Sequence, residues 1–459
     1  IVQNGDVRGI YHKSFLPNYS VFDEARYFSK GTEPNTLFWY DDIAIGINIC
    51  EDIWIEDGPA EEQVKQGASL IININASPYD IHKSETRKEI VMKKALKLNV
   101  PIIYLNMVGG QDELVFDGGS FVVNDLGEII YQASSFKEEV FHLDIDLKTN
   151  KQNDKSPLII RPKTIELKDV ESKASLSKNE SIYSALKLGL KDYVRKNKFT
   201  KVLIGISGGI DSALTAAICV DALGAENVIG VAMPSKYNSK DSLDDAIKLS
   251  DNLGITLKTI EIEKLVDDFR ETLTNSLNED LGQITDENIQ SRVRGNILMG
   301  LSNQTGAMVV STGNKSEMAV GYSTLYGDLA GGFALIKDLY KTKVYELSNY
   351  INSISDAIPK NIITKEPSAE LRPNQFDSDS LPDYEVLDKI LNLYIEEDSS
   401  SEKIIASGVD PNLVFDVLEK VDRNEYKRKQ VAPGVKLTQK AFGKDRRMPI
   451  TNTYIRQKE

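Results

Sequence analysis

Short apolar runs alternate with polar, helix-period stretches along most of the chain, and their order divides it. Residues 42–50 (DIAIGINIC) read as a strand ending at Cys50. A polar helix over about 59–66, an apolar strand over 68–77 (ASLIININAS) and a charged helix over about 83–98 follow. Further strands are predicted at 101–106, 119–125, 127–133 and 140–146, with Asn124, Asp125 and Gly127 supplying a hairpin turn. Residues 147–180 are rich in Lys, Asn and Ser and have little periodicity, which is connector composition, although Ile159, Ile160 and Ile165 suggest a piece docked on a surface. From Ser181 the pattern becomes regular: a helix over 181–197, a strand Val202–Ile206, a helix from Ile210 that stops at Gly224, and a strand over 228–234. Then come a helix over 241–253, a strand over 256–262, helices over 263–276 and 287–303, and a strand over 307–312. Residues 380–408 and 410–430 read as helical. The expectation is an α/β protein with domains at 1–146 and 181–459 joined by 147–180, the second domain a doubly wound parallel sheet with a helical C-terminal region.

Between the strand at 202–206 and the helix at 210 stands Ser207-Gly208-Gly209. Strand, glycine turn and helix N-terminus are the parts of a phosphate cradle, since glycine allows close backbone approach and the first helical amides favour an anion. A Walker loop has Lys before its Ser or Thr; here Asp211 precedes Ser212. The cradle therefore lacks a cation of its own, and Asp211 is available for Mg²⁺. A second polar segment, STGNKSE (311–317), also follows a strand, at the end where open α/β sheets bind ligands.

Composition narrows the classes. The net charge of −14 argues against a nucleic-acid surface, and no run of 18 apolar residues suggests a membrane span. Two cysteines, Cys50 and Cys219, suit a reducing cytoplasm rather than a disulfide framework, and three histidines far apart offer no zinc spacing. Cys50 sits at a strand end, where a nucleophile would be placed, and YHKSFLPNYSVFDEARYF (11–28) is too polar for a core.

KSFLPNYSVFDEARYF, NICEDIW and NASP together resemble the nitrilase-type glutaminase domain of glutamine-dependent NAD synthetases. SGGIDS, ENIQSRVRGNILM, STGNKSEMAVGYSTLYGD, KDLYKTKVYEL, KEPSAELRP and EYKRKQ resemble their ATP-pyrophosphatase domain, so the likeness covers nearly the whole chain. It implies a nitrilase-like α-β-β-α sandwich followed by an adenine-nucleotide α-hydrolase-like domain. It implies Cys50 as glutaminase nucleophile, Lys13 as oxyanion stabiliser, and Tyr19, Ser77 and Lys83 at the glutamine. For ATP it implies Gly205, Ile206, Ser207, Gly208, Gly209, Ile210, Asp211 and Ser212, with Thr312, Lys341 and Ser368. For deamido-NAD it implies Asn288, Arg292, Glu317, Asp328 and Lys427, and Asp211 with Glu317 as Mg²⁺ ligands. A homo-oligomer is expected from the same likeness. The family's general-base Glu lies N-terminal of the lysine and no residue of this sequence corresponds to it, so an impaired glutaminase is the expectation. Other readings are a different ATP-pyrophosphatase amidotransferase, an ammonia-only NAD synthetase, and a nucleotide-binding protein without turnover.

Overall fold

In the computed structural model, residues 1–40, 42–147, 172–443 and 445–451 are described. Two compact units result: Ile1–Gly109 with the described part of Val115–Ser177, and Gly110–Leu114 with the described residues from Lys178 onward. Most of the predicted connector, 148–171, lies outside the described residues.

The first unit is built on a six-stranded sheet that runs in chain order. Its strands are β1 (Leu37–Tyr40), β2 (Ile43–Ile49), β3 (Leu70–Asn75), β4 (Ile102–Asn106), β5 (Phe121–Val123) and β6 (Ile129–Gln132). The pairs β2–β3 and β3–β4 are parallel; the outer pairs are antiparallel. Parallel strands need crossovers, and α1 (Pro59–Lys65) and α2 (Lys83–Leu98) supply them. Ala60 on α1 and Val91 and Ala95 on α2 pack with Ile71, Ile102 and Tyr104 in one buried cluster. The strand expected at 140–146 is not formed. Its alternating Phe141, Leu143 and Ile145 do pack against Val122, Tyr131 and Ala133, so the period-two pattern reports burial of one side of an extended segment without a hydrogen-bonded ladder.

The second unit opens with α3 (Lys178–Lys196), which begins inside the stretch read as connector. The first strand, β7 (Val202–Gly205), precedes α4 (Ile210–Leu223); then come β8 (Val228–Ala232), α5 (Lys240–Leu253), β9 (Thr256–Thr259), α6 (Glu263–Leu277) and α7 (Gln283–Thr305). They are followed by β10 (Met308–Ser311), the short α8 (Lys315–Val320), β11 (Phe333–Ala334) and α9 (Lys341–Ser355). The strand order is β9-β8-β7-β10-β11, all parallel. The order reverses between β7 and β10, which opens a crevice at their C-terminal ends. Val202, Leu203 and Ile204 are fully buried, as is most of α4, so the turn between them is anchored on both sides. Helices α10 (Tyr384–Leu391), α11 (Pro411–Arg423) and α12 (Glu425–Arg428) lie in the C-terminal part of the unit. Leu387, Leu391, Val414 and Leu418 join a core shared with Ala319 and Val320 of α8. Among the described residues no helix is long and apolar enough to cross a membrane.

Candidate functional site

In the first unit, Cys50 follows β2 in the left-handed region at φ 46° and begins a tight helical turn, Cys50–Ile53. Two residues on, Asp52 is fully buried. One of its oxygens accepts the amides of Ser14 and Phe15 at 3.1 and 2.9 Å; the other accepts the Ile49 amide at 3.0 Å and the Tyr11 hydroxyl at 2.9 Å. This carboxylate therefore fastens the 11–15 segment to the Cys50 turn and brings Lys13 to the same cavity as Cys50, a space of about 380 Å³ also lined by His12, Leu16, Glu24 and Ala76. The Lys13 ammonium donates to both oxygens of Glu24, at 2.8 and 2.6 Å. Burial pushes the Cys50 thiol above its ordinary range, and Lys13 opposes that shift.

Of the residues expected around glutamine, Tyr19 and Lys83 lie within electrostatic reach of Cys50. Tyr19 is exposed and donates to Glu51 at 3.0 Å. Ser77 is buried, its hydroxyl accepting from Arg87, which is in turn paired with Asp117 at 2.6 Å. Lys83 lies 4.3 Å over the Trp54 ring, and burial lowers its pKa. None of the three is in the wall of the Cys50 cavity. Glu24 and Asp52 are additions that the sequence reading did not single out. The spacing of Asp52, two residues past the candidate nucleophile, was the available signal.

The larger cavity, about 740 Å³, lies in the second unit at the sheet's switch point. Gly208 has φ 79°, and a Cβ there would lie 2.2 Å from the Ser242 carbonyl oxygen, so only glycine fits. The Ser207 hydroxyl accepts the Gly209 amide at 3.2 Å, and Ser212 donates to the Gly209 carbonyl at 2.9 Å, which fixes the loop from within. Residues Gly205 to Ser212 all line the cavity, with Thr312 and Ser368. Ser368 is engaged as a donor to the Gln375 carbonyl.

Lys341, the first residue of α9, donates to Asp211 at 2.5 Å and reaches Glu317 at 3.5 Å. The cation missing from the glycine loop is thus supplied from a strand-end helix 130 residues later. Burial would lower the Lys341 pKa, but Asp211 and Glu317 outweigh it and raise it. Burial and then Asp211 raise the Glu317 carboxyl well above the usual carboxylate range. Asn314 caps α8 by accepting the Glu317 amide at 3.0 Å and donates to Asp211 at 2.9 Å. Asp377 is a further carboxylate in the wall, accepting from Tyr384 at 2.7 Å. Asp211, Glu317 and Asp377 thus gather three carboxyl groups about one ammonium, and the upward shift of Glu317 reports a corner short of positive charge. Among the described residues no three His, Cys, Asp or Glu side chains form a metal cage. That donor set fits Mg²⁺, which is usually held by one or two carboxylates together with phosphate oxygens.

Asn288 accepts from Thr324 at 2.7 Å, Asp328 accepts the Thr324 amide at 2.6 Å, and Lys427 donates to the carbonyls of Gly321 and Ser323 at 2.6 and 2.8 Å. All three line the cavity with Glu317. Arg292 is exposed, donates to the Leu325 carbonyl at 3.3 Å and is outside the wall. Arg294 is in the wall instead, donating to the Met233 carbonyl and to Asn238 at 3.1 and 3.2 Å. Residues two apart lie on nearly opposite sides of a helix, so α7 can turn only one of the two arginines to the cleft. The Asn314…Glu317 spacing was a legible capping box; Asp377 and Tyr384 carried no local signal.

The family model for NAD synthase matches residues 182–431, and that for carbon-nitrogen hydrolase matches 1–153. The glutamine-dependent NAD(+) synthetase of Aquifex aeolicus is 47% identical, over 99% of this chain and 83% of its own. That of Thermotoga maritima is 48% identical, over 99% and 82%. The structure of glutamine-dependent NAD+ synthetase from Acinetobacter baumannii in complex with ADP matches with a TM-score of 0.72 at 44% identity, covering 98% of this chain and 80% of that one. With its glycine loop, its carboxylate–lysine corner and its Cys50 cavity in place, the chain belongs to the family of glutamine-dependent NAD(+) synthetases.

Proposed function

We propose that the cleft of the second unit amidates deamido-NAD in two stages, and that the first unit supplies the nitrogen. A carboxylate oxygen is a poor leaving group. Attack of the nicotinate carboxylate on the α-phosphorus of ATP gives a mixed anhydride and expels pyrophosphate. Ammonia then adds to the activated carbonyl, AMP leaves with the carboxylate-derived oxygen, and a proton is lost from nitrogen to give the amide.

The convergence of Ser207–Ser212, Asp211, Glu317 and Lys341 in one cavity carries this reading. The loop amides and Lys341 face the β- and γ-phosphates, where charge gathers as pyrophosphate departs. Mg²⁺ held by Asp211, Glu317 and the phosphates would offset that charge. Thr312 and Ser368 serve ATP; Asn288, Asp328 and Lys427 serve deamido-NAD, and Arg294 is better placed than Arg292 to reach a cleft ligand. In the first unit, Cys50 would attack the glutamine amide carbon, forming a thioester and releasing ammonia, with Lys13 facing the oxyanion. We assign residues 1–146 to that half and 181–459 to the synthetase half. Two unpaired cysteines suit work in the cytoplasm, and a homo-oligomer is part of the same reading.

The test is pyrophosphate release measured with ATP, Mg²⁺ and deamido-NAD, in separate arms with ammonium and with glutamine. Release that depends on deamido-NAD is expected. Release independent of deamido-NAD, or none in either arm, overturns the reading. A live ammonium arm beside a silent glutamine arm assigns an impaired glutaminase to the first unit.

A further inference from the structure

Next to Glu317, the α8 helix carries a lysine turned the other way. Lys315 is fully buried. Its ammonium donates to Asp338 at 2.7 Å, Glu396 at 2.5 Å, Thr438 at 2.6 Å and the Lys440 carbonyl at 3.1 Å. The rings of Tyr340 and Phe442 stand 5.1 and 5.6 Å away. An ammonium has three donors, so this oxygen cage is saturated, and nothing in it is left for substrate.

The cage joins parts of the second unit that are remote in sequence. Asp338 also accepts the amides of Leu437 and Thr438, each at 2.7 Å. Glu396 ends a short π-helical segment, Asn392–Glu396, and accepts the Lys440 amide at 2.9 Å. Such segments re-aim a side chain that a regular helix would turn elsewhere. Upstream, Gly434 passes so close to β11 that a Cβ would lie 1.9 Å from the Ala334 carbonyl oxygen. Residues 434–438 are thus buried against the sheet.

The same face of α8 grips α9. The Lys315 amide donates to the Leu339 carbonyl at 2.9 Å, and the Ser316 hydroxyl accepts the Lys341 amide at 2.9 Å. Ser316 also donates to Asp388, which accepts the Thr342 amide at 2.9 Å. One short helix therefore presents Glu317 to the cleft while its neighbours, Lys315 and Ser316, fix the start of α9, where Lys341 stands.

We propose that Lys315 is a positioning residue for the synthetase reaction: by binding the C-terminal segment and the π-helical Glu396, it sets the rotation of α8 and the spacing of Glu317, Asp211 and Lys341. The inference rests on the reading of that corner as the metal and pyrophosphate site. Misplacing such groups by about 1 Å can cost roughly a hundredfold in rate. Among the described residues Asn288, Asp328 and Lys427 form no hydrogen bond to the cage itself; Lys427 meets α8 only at its C-terminal Gly321 carbonyl, so the deamido-NAD end of the cleft is affected less directly than the Glu317 corner.

The test compares Lys315→Met with the unaltered chain. Steady-state kinetics with ammonium are normalised to folded protein by circular dichroism, and Mn²⁺ affinity is measured by calorimetry in the presence of a non-hydrolysable ATP analogue. A kcat at least about tenfold lower, a KM for deamido-NAD changed by less than kcat, and Mn²⁺ binding weakened severalfold are expected. Because Lys315→Met strands two carboxylates, the charge-neutral variant with Asp338→Asn and Glu396→Gln added is measured beside it. It is expected to fold and to keep the defect. If either folded variant keeps the kcat and Mn²⁺ affinity of the parent and loses only thermal stability, Lys315 is a stability element and the proposal falls. If the parent itself shows no pyrophosphate release that depends on deamido-NAD, the reading of the reaction fails. The Mn²⁺ comparison still decides the role of Lys315 in that case.

Discussion

Cys50 holds a backbone conformation that side chains other than glycine adopt at a cost of about 1–3 kcal/mol. That conformation points the thiol from a strand end into a cavity that Lys13 shares. The local balance is set by burial, which disfavours the thiolate, against Lys13, which favours it. Raising pH populates the thiolate, so alkylation of Cys50 by iodoacetamide is expected to keep rising above the ordinary thiol range near pH 9. Lys13→Met should move the midpoint higher still, because the opposing charge is gone. A midpoint below the ordinary range, or one indifferent to Lys13, would contradict this balance. Cys219 is fully buried and should stay unlabelled in the folded protein, which keeps the readout specific.

The glycine loop is an element whose geometry was legible before its partners were. Its strand, glycines and helix start all appear where hydrophobic periodicity placed them, because burial on both sides of β7 and along α4 writes that pattern into the sequence. The positive φ of Gly208 and its contact with Ser242 are tertiary facts. Gly208→Ala is expected to cost about 1–2 kcal/mol in backbone strain alone, with the clash against Ser242 in addition. The measurable outcome is a lower Tm together with loss of ATP-induced stabilisation in a thermal melt; an unchanged melt would mean that the loop yields. The misread strand at 140–146 shows the converse limit. Alternating Phe141, Leu143 and Ile145 announce a face to be buried, but a ladder partner is decided by the rest of the fold. Arg292 and Arg294 differ for a similar reason: helical period separates them, yet which one meets the cleft depends on how α7 packs.

For the whole molecule, the assignment of chemistry to two units makes a sharp separation. Cys50→Ala is expected to abolish glutamine-dependent amidation wherever the parent shows it, and to leave the ammonium-dependent rate within about twofold, since sites with no shared partners usually act independently. Loss of the ammonium reaction in Cys50→Ala would place Cys50 in the synthetase chemistry and break the division. Sequence motifs exposed both halves of this arrangement because each depends on residues clustered within a few positions, as in NICEDIW and SGGIDS. The carboxylate–lysine corner was harder to derive, since Asp211, Glu317, Lys341 and Asp377 come from four separate segments and meet only through the sheet's switch point.

The Lys315 cage also has a temporal meaning. Thr438 and Lys440 follow Lys315 by 123 and 125 residues. On a ribosome that adds about 5–20 residues per second, Lys315 leaves the tunnel several seconds before the groups that enclose its charge are made. During that interval β7 and the glycine loop have all their strand neighbours, while α8 still lacks its anchor. The nascent protein is thus able to assemble its sheet early, but its carboxylate–lysine corner waits until residues 438–440 have been made.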